Sequence, residues 1–287
     1  IRAGGMAEAR RFWWRRVARI WPLHLAVLAA LVAFALVLRA TGRDGANYPF
    51  AELPLHLLLL QNWGFTPDLS WNHPAWSISA EAGAYVLFPF AVLAVRWEAL
   101  RPAALVALIV LCAGALAAVF AAAGETGLGG QIARLGLARC VAQFAIGMAL
   151  ANLWQHWRAR RGAARACALA GATVLAGGLF LDAPQTLVVP LGLAALLLGL
   201  ALSTGTLSRA LANRPLLWLG DTSYATYLIH WPLFILAKLV LVGDDLQLSA
   251  AGFALYCAVL LLIAHCAYRW WELPAQAFLN RLGRGRG

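Results

Sequence analysis

Long apolar runs alternate with short basic or acidic segments along the whole chain. A membrane-spanning helix needs roughly 20 apolar residues. On that measure the pattern predicts spans over 20–38, 74–95, 102–123, 138–154, 166–181, 184–202, 216–242 and 248–270. A shorter apolar piece over 53–60 is too brief to cross and predicts a re-entrant or interfacial helix. The expected fold class is therefore all-α, a polytopic helical membrane bundle. Composition agrees: 62% of the residues are hydrophobic, 12% are charged and the mean hydropathy is +0.73. A soluble domain carries about 25% charged residues, so the soluble classes are excluded.

The net charge of +11 would suggest a nucleic-acid partner if it were clustered on one face. It follows the span order instead. Read from an inside N-terminus, the inside segments hold Arg10, Arg11, Arg15, Arg16 and Arg19, then Arg96 and Arg101, then Arg158, Arg160, Arg161 and Arg165. Arg209 and Arg214 follow, and Arg281, Arg284 and Arg286 close the chain. The opposite loops hold Asp44, Glu52, Asp68, Glu125, Asp182, Asp244 and Asp245. This is the positive-inside pattern. It predicts an inner (plasma) membrane protein with both ends of this chain in the cytoplasm, a lipid-bilayer partner and no nucleic acid.

Five cysteines, Cys112, Cys140, Cys167, Cys257 and Cys266, all fall inside predicted spans without metal-ligand spacing, and read as small apolar filler. GLGG at 127–130 lacks a following Lys-Ser or Lys-Thr, so it is no phosphate loop and no ATP hydrolysis is expected. The chain opens with IRAGGMAEARRF, with neither an initiator Met nor an apolar signal segment. It reads as a cytoplasmic loop entered midway, with earlier spans expected before it.

Polar residues inside spans are costly and mark candidate chemistry. In RRFWWRRVARIWP, Trp13, Trp14 and Trp21 interleave with Arg15, Arg16 and Arg19. An interfacial aromatic belt with snorkelling arginines explains this, as does a phosphate clamp of forked guanidinium groups. In WNHPAWSISAEAGAYVLFPF, Pro74 suits a first helical turn with Asn72 or His73 beside the cap. Ser77, Glu81 and Tyr85 then share a stripe at i, i+4 and i+8. The readings are interhelical glue or a polar cavity wall.

In DTSYATYLIHWPLF, Ser223, Tyr227 and His230 share a second stripe, and Pro232 perturbs the helix behind them. His265, Arg269 and Glu272 align near the cytoplasmic end, where an Arg–Glu pair reads as an anchor. Arg139 and Gln143 form a smaller pair, Arg139 being expensive unless it faces protein or water.

The order RRVARIWP, WSISAEAGAYVLFP, SYATYLIHWP and a terminal Glu272-Leu273-Pro274 resembles the membrane-bound acyltransferase-3 family over nearly the whole chain. The resemblance implies a single transmembrane acyltransferase domain over 1–287, lacking the N-terminal spans of a family with about ten. It implies transfer of an acyl group, usually acetyl, from acyl-CoA to a hydroxyl of a glycan, lipid-linked sugar or related acceptor. The donor is a substrate and no cofactor is implied. The family's R-x-x-R falls on Arg16 and Arg19, which the resemblance assigns to CoA phosphates. Its W-S-hydrophobic-x-x-E falls on Trp76, Ser77 and Glu81, with Tyr85 at the usual aromatic place. Its S-Y-x-x-Y-L-x-H falls on Ser223, Tyr224, Tyr227 and His230. One departure stands out: the family's arginine and histidine of the first span have no counterpart here.

The chemistry fits these residues. A hydroxyl attacking a thioester needs a general base, and imidazole titrates near the working pH. His230 is the candidate base, and Glu81 is the candidate carboxylate that orients it or binds acceptor hydroxyls. Arg16, Arg19, Trp76, Ser77, Tyr85, Arg139, Ser223 and Tyr227 are the candidate substrate-binding residues, some of them as oxyanion donors. The same polar groups would also suit a transporter or flippase for a polar or lipid-linked substrate, although no internal repeat of the kind transporters carry is evident. A non-catalytic partner of a glycan-export complex is the third class.

Overall fold

The computed structural model describes residues 1, 4–241 and 248–284. Asp244, Asp245, Arg286 and the last residue of the predicted 216–242 span lie outside the described residues. Within them the chain is helical: α1 (Gly5–Ala40), α2 (Leu53–Leu58), α3 (Ala75–Ala94), α4 (Pro102–Ala122), α5 (Ile132–Trp157) and α6 (Ala163–Phe180) come first. α7 (Gln185–Leu202), α8 (Thr206–Leu211), α9 (Arg214–Leu241), α10 (Ala250–Ala267) and α11 (Leu273–Arg284) follow, and no strand occurs among the described residues. Eight helical runs there are long and apolar enough to cross a membrane, as the sequence pattern predicts.

The boundaries differ where the apolar pattern is silent. α1 begins at Gly5 rather than near 20, because the Arg/Trp segment continues the helix through Pro22. The last predicted span, 248–270, covers α10 and the start of a π-helical turn over Tyr268–Glu272, beyond which α11 continues. That turn, with its i→i+5 bonding, changes the helical register. It explains why the expected Arg269–Glu272 anchor does not form: no ion pair joins them among the described residues. Glu272 is buried with Oε2 lacking a hydrogen-bond partner, within electrostatic reach of Arg19.

The chain divides into two compact units. One holds Asn62–Gly64 and Ala80–Asn213. Its core joins Leu105 and Ile109 of α4, Ile146 and Leu153 of α5, and Ala194 and Leu198 of α7. α6 and α7 approach closely because a methyl at Gly171 would lie 2.7 Å from the Gly192 carbonyl oxygen. Small residues at such crossings replace the hydrophobic drive that lipid does not supply.

The other unit holds Ile1–Gln61, Phe65–Ser79 and Arg214–Gly287. Leu23, Leu28 and Leu31 of α1 and Ala225 and Leu228 of α9 are buried in it. Polar side chains staple its helices through backbone carbonyls. Trp14 Nε1 donates to Leu279 at 2.8 Å, Trp271 Nε1 to Pro22 at 2.9 Å and Tyr224 Oη to Ile20 at 2.6 Å. Tyr256 Oη donates to the His230 carbonyl at 2.9 Å.

Candidate functional site

The segment leading into α3 docks on one stretch of α9, and a proline sets this up. Pro232 has no N–H, so the Leu228 carbonyl four residues earlier is left without its helical donor. Asn72 takes it: Nδ2 donates to the Leu228 oxygen at 3.1 Å, in a buried setting. Asn72 thus lies beside the start of α3, as the sequence suggests, but its side chain reaches across to α9.

Two further contacts follow along the same line. Tyr227 Oη donates to the Pro74 carbonyl at 2.9 Å, and Ser77 Oγ donates to Tyr227 Oη at 2.8 Å. The His73 ring stacks on Trp231, centroids 4.8 Å apart and 18° from parallel. The two polar motifs, about 150 residues apart in sequence, therefore form one surface.

His230 sits one turn beyond Tyr227. Its Nδ1 lies 2.6 Å from the Tyr227 carbonyl. A carbonyl only accepts, so Nδ1 carries the proton and the neutral ring keeps its lone pair on Nε2. Ser223 stands apart from this pair, exposed, and donates to its own helix at Gly220, 2.7 Å away. Trp76 is half-buried in the first turn of α3.

Glu81 and Tyr85 belong to the other unit. Tyr85 Oη donates to Glu81 Oε1, joining the two residues of the predicted stripe within α3. Cys140 of α5 lies within electrostatic reach of Glu81. The Tyr85 ring meets Phe144 edge-on at 6.0 Å. Arg139 Nη1 donates to the Leu128 carbonyl at 2.9 Å, which satisfies part of a guanidinium that would otherwise be costly there.

Arg16 and Arg19 lie one turn apart on α1. The Arg16 guanidinium stacks over the Phe12 ring, 5.1 Å from its centroid. Arg19 is exposed and makes no ion pair among the described residues.

A second polar cluster escaped the sequence reading. Ser70 Oγ donates to Glu52 Oε2 at 2.6 Å, and its oxygen in turn accepts from His56 Nε2 at 2.9 Å. His24 Nε2 donates to the His56 carbonyl at 2.8 Å. In this order the serine proton points at the carboxylate rather than the imidazole, so the cluster is no nucleophilic triad. It fastens α2 and its flanking loop to α1. Burial, with His24 and His73 nearby, pushes the His56 imidazole down to about 4. The only sequence signal was a histidine in an apolar hexapeptide, LPLHLL.

Comparison with known proteins bears on what these motifs are. A family model described as an acyltransferase domain, that of the acyltransferase-3 family, matches residues 4–269. The chain belongs to this family. An acyltransferase-3 assignment accounts for the order of the four motifs and for the helical-membrane fold. The chain is similar to acyltransferase MdmB of Streptomyces mycarofaciens, 31% identical over 239 residues. That alignment covers 77% of this chain, which spans about 60% of the relative's length. No solved structure matches the chain.

Proposed function

We propose that the chain is a transmembrane acyltransferase domain that moves an acyl group, acetyl in the simplest case, from acyl-CoA to a hydroxyl of a glycan, lipid-linked sugar or related acceptor. One observation carries this reading beyond family membership. The Trp76-Ser77 motif and the Tyr227-to-His230 motif are joined through the Ser77–Tyr227 hydrogen bond, with His230 Nε2 left available to accept a proton.

In the proposed reaction the acceptor oxygen attacks the thioester carbonyl carbon as its proton passes to His230 Nε2. The tetrahedral intermediate collapses, the C–S bond breaks and the proton leaves with the CoA thiol. Ser77 and Tyr227 tie the start of α3 to the stretch of α9 that carries His230, and their hydroxyls are the candidate donors to the developing oxyanion. Ser223 and Trp76 are further candidate substrate contacts. Arg16 and Arg19 hold the CoA phosphates with forked guanidinium groups. Glu81, with Tyr85, binds acceptor hydroxyls, and Arg139 assists as a substrate contact. The chain sits in the plasma membrane with both ends in the cytoplasm, where acyl-CoA is made.

The deciding test is acyl transfer from radiolabelled acetyl-CoA to cell-envelope glycan and glycolipid by membranes carrying the full-length protein. Transfer that disappears in the His230→Ala variant at equal membrane level supports the reading. Full transfer by that variant removes His230 from the chemistry. An absence of CoA-dependent transfer to any such acceptor overturns the acyltransferase assignment for this chain.

A further inference from the structure

One end of the unit that holds α4 to α7 gathers arginines. Arg96 and Arg101 lie in the connection from α3 to α4, and Arg158, Arg160, Arg161 and Arg165 crowd the turn from α5 to α6. Packing brings these segments together. His156 Nε2 donates to the Leu100 carbonyl at 3.2 Å, and Trp154 Nε1 donates to the Ala201 carbonyl at 3.1 Å, near the end of α7. These arginines are all exposed, and none forms an ion pair among the described residues. Glu98 is the one acidic residue in the two connections.

The α5–α6 turn concentrates the charge. Gly162 reverses the chain at φ +81, a left-handed conformation that glycine adopts without strain, so the two helices are joined by residues 158–162 alone. Arg158 is partly spent, because its guanidinium stacks over the Trp154 ring, 5.5 Å from the centroid. Arg160 and Arg161 stand in the turn itself. Arg165 follows in the first turn of α6, where the helix dipole opposes a cation. Like charges held this close repel one another unless an anion lies among them. Orientation in the membrane needs an excess of basic residues in a loop, but does not require them on a single turn.

The side of α6 that runs on from this turn selects the kind of anion. α6 packs on α7 through Gly171 and Gly178 and leaves its other side open. Leu169, one turn beyond Arg165, is 63% exposed, and Ala172 and Ala176 continue the same stripe, also exposed. A phosphate at the turn and an acyl chain along this stripe are two halves of one molecule, whereas a free phosphate would use only the first.

We propose that this end of the unit binds an anionic phospholipid, its headgroup held by Arg160, Arg161 and Arg165 and an acyl chain lying along Leu169, Ala172 and Ala176. Arg96 and Arg101 strengthen the positive field around the headgroup. A zwitterionic lipid brings the same phosphate and tails, but its own cationic group cancels the charge that the turn selects. Arg16 and Arg19, the proposed CoA clamp, belong to the other unit. The lipid site therefore stands whether or not the chain transfers acyl groups.

The test is photolabelling of the full-length protein in nanodiscs of equal phosphatidylglycerol and phosphatidylcholine, with labelled peptides located by mass spectrometry. The probe is phosphatidylglycerol carrying a diazirine on one acyl chain, compared with phosphatidylcholine carrying the same group. The expected result is stronger labelling of peptides covering 154–176 by phosphatidylglycerol. Arg160→Gln, Arg161→Gln and Arg165→Gln should each lower that labelling about fivefold, the worth of one arginine near an anionic surface, and the three together more than tenfold. A matched triple change, Arg10→Gln, Arg15→Gln and Arg281→Gln, removes exposed arginines from the other unit and should leave the labelling of 154–176 unchanged. The single variants decide the matter if the triple at the turn does not insert. An equal loss in both triples reduces the effect to general surface charge and overturns the proposal. Equal labelling by the phosphatidylcholine probe overturns it too. Suppression of the label by excess inorganic phosphate or CoA does the same, assigning the turn to a soluble anion.

Discussion

Asn72 donates to the backbone carbonyl of Leu228, 156 residues away in the sequence, and does so because Pro232 cannot. A side-chain amide here replaces a missing helical N–H in an apolar setting, where an unsatisfied carbonyl is costly. The bond holds Pro74 and Ser77 against Tyr227 and so fixes the surface on which His230 sits. Asn72→Leu should destabilise the fold by about 1–3 kcal/mol, the cost of a buried unsatisfied group. Pro232→Ala restores an N–H for Leu228, so in that background Asn72→Leu should cost clearly less. A double-mutant cycle on thermal unfolding measures the difference. Equal cost in both backgrounds would show that Asn72 does not serve this carbonyl.

His56 gives a pH prediction. Its folded-state value is pushed down to about 4 by burial, with His24 and His73 adding to the effect, against an ordinary 6.5. The unfolded chain therefore takes up a proton before the folded chain does. The stability tied to neutral His56 is complete above 6.5 and is lost as pH falls from there to about 4. The loss is on the order of 3 kcal/mol. His73, also held down by burial, titrates in the same direction. His56→Gln should flatten the curve between pH 6.5 and 4.5 while lowering stability at pH 7.5. An unchanged slope in that variant would assign the acid sensitivity to other groups.

These two cases show what was legible in the sequence. The span pattern came through because lipid demands continuous apolar helices, and all eight predicted spans have a counterpart among the described helices. The stripes at Ser77 and Tyr227 were legible because helical spacing is local. Asn72 and Ser70 were not, because their partners are backbone groups whose availability depends on a distant proline or a buried loop. The conformation of Trp71 was equally hidden: nothing local announces a left-handed tryptophan. The failure of the Arg269–Glu272 pair has the same origin, since a π-turn changes which residues share a face.

Arg16 and Arg19 separate a topological role from a binding one. Both meanings need positive charge, but only phosphate recognition needs the planar fork that Arg16 already stacks over Phe12. Arg16→Lys and Arg19→Lys should each weaken CoA binding about tenfold, near the loss of one charge-assisted hydrogen bond of roughly 1.5 kcal/mol. Insertion and orientation should not change, because lysine serves the positive-inside rule equally. Titration calorimetry with CoA, beside a protease-accessibility assay of topology, reads both. Wild-type affinity in the lysine variants would leave these arginines as membrane anchors alone.

Glu81 is the most exacting case. An ionisable carboxyl within a span costs about 2.5–3.5 kcal/mol on insertion scales, yet α3 keeps it and gives it the Tyr85 hydroxyl as donor. Glu81→Gln retains an acceptor for Tyr85 and nearly the same volume, and removes only the charge. Glu81→Leu removes both and suits lipid better. If the carboxylate takes part in transfer, both variants should lose at least roughly a hundredfold in rate. Leu should nevertheless insert as well as the parent or better. Tyr85→Phe, which removes the donor and leaves the charge, should give an intermediate loss. If Glu81 merely holds helices together, Gln should keep most activity, because an amide supplies interhelical glue worth roughly 1 kcal/mol. The measurement is acetyl transfer at matched membrane levels across the three variants. Near-normal turnover in the Gln variant would confine Glu81 to packing α3 and shift the proposed chemistry onto His230 and its neighbours.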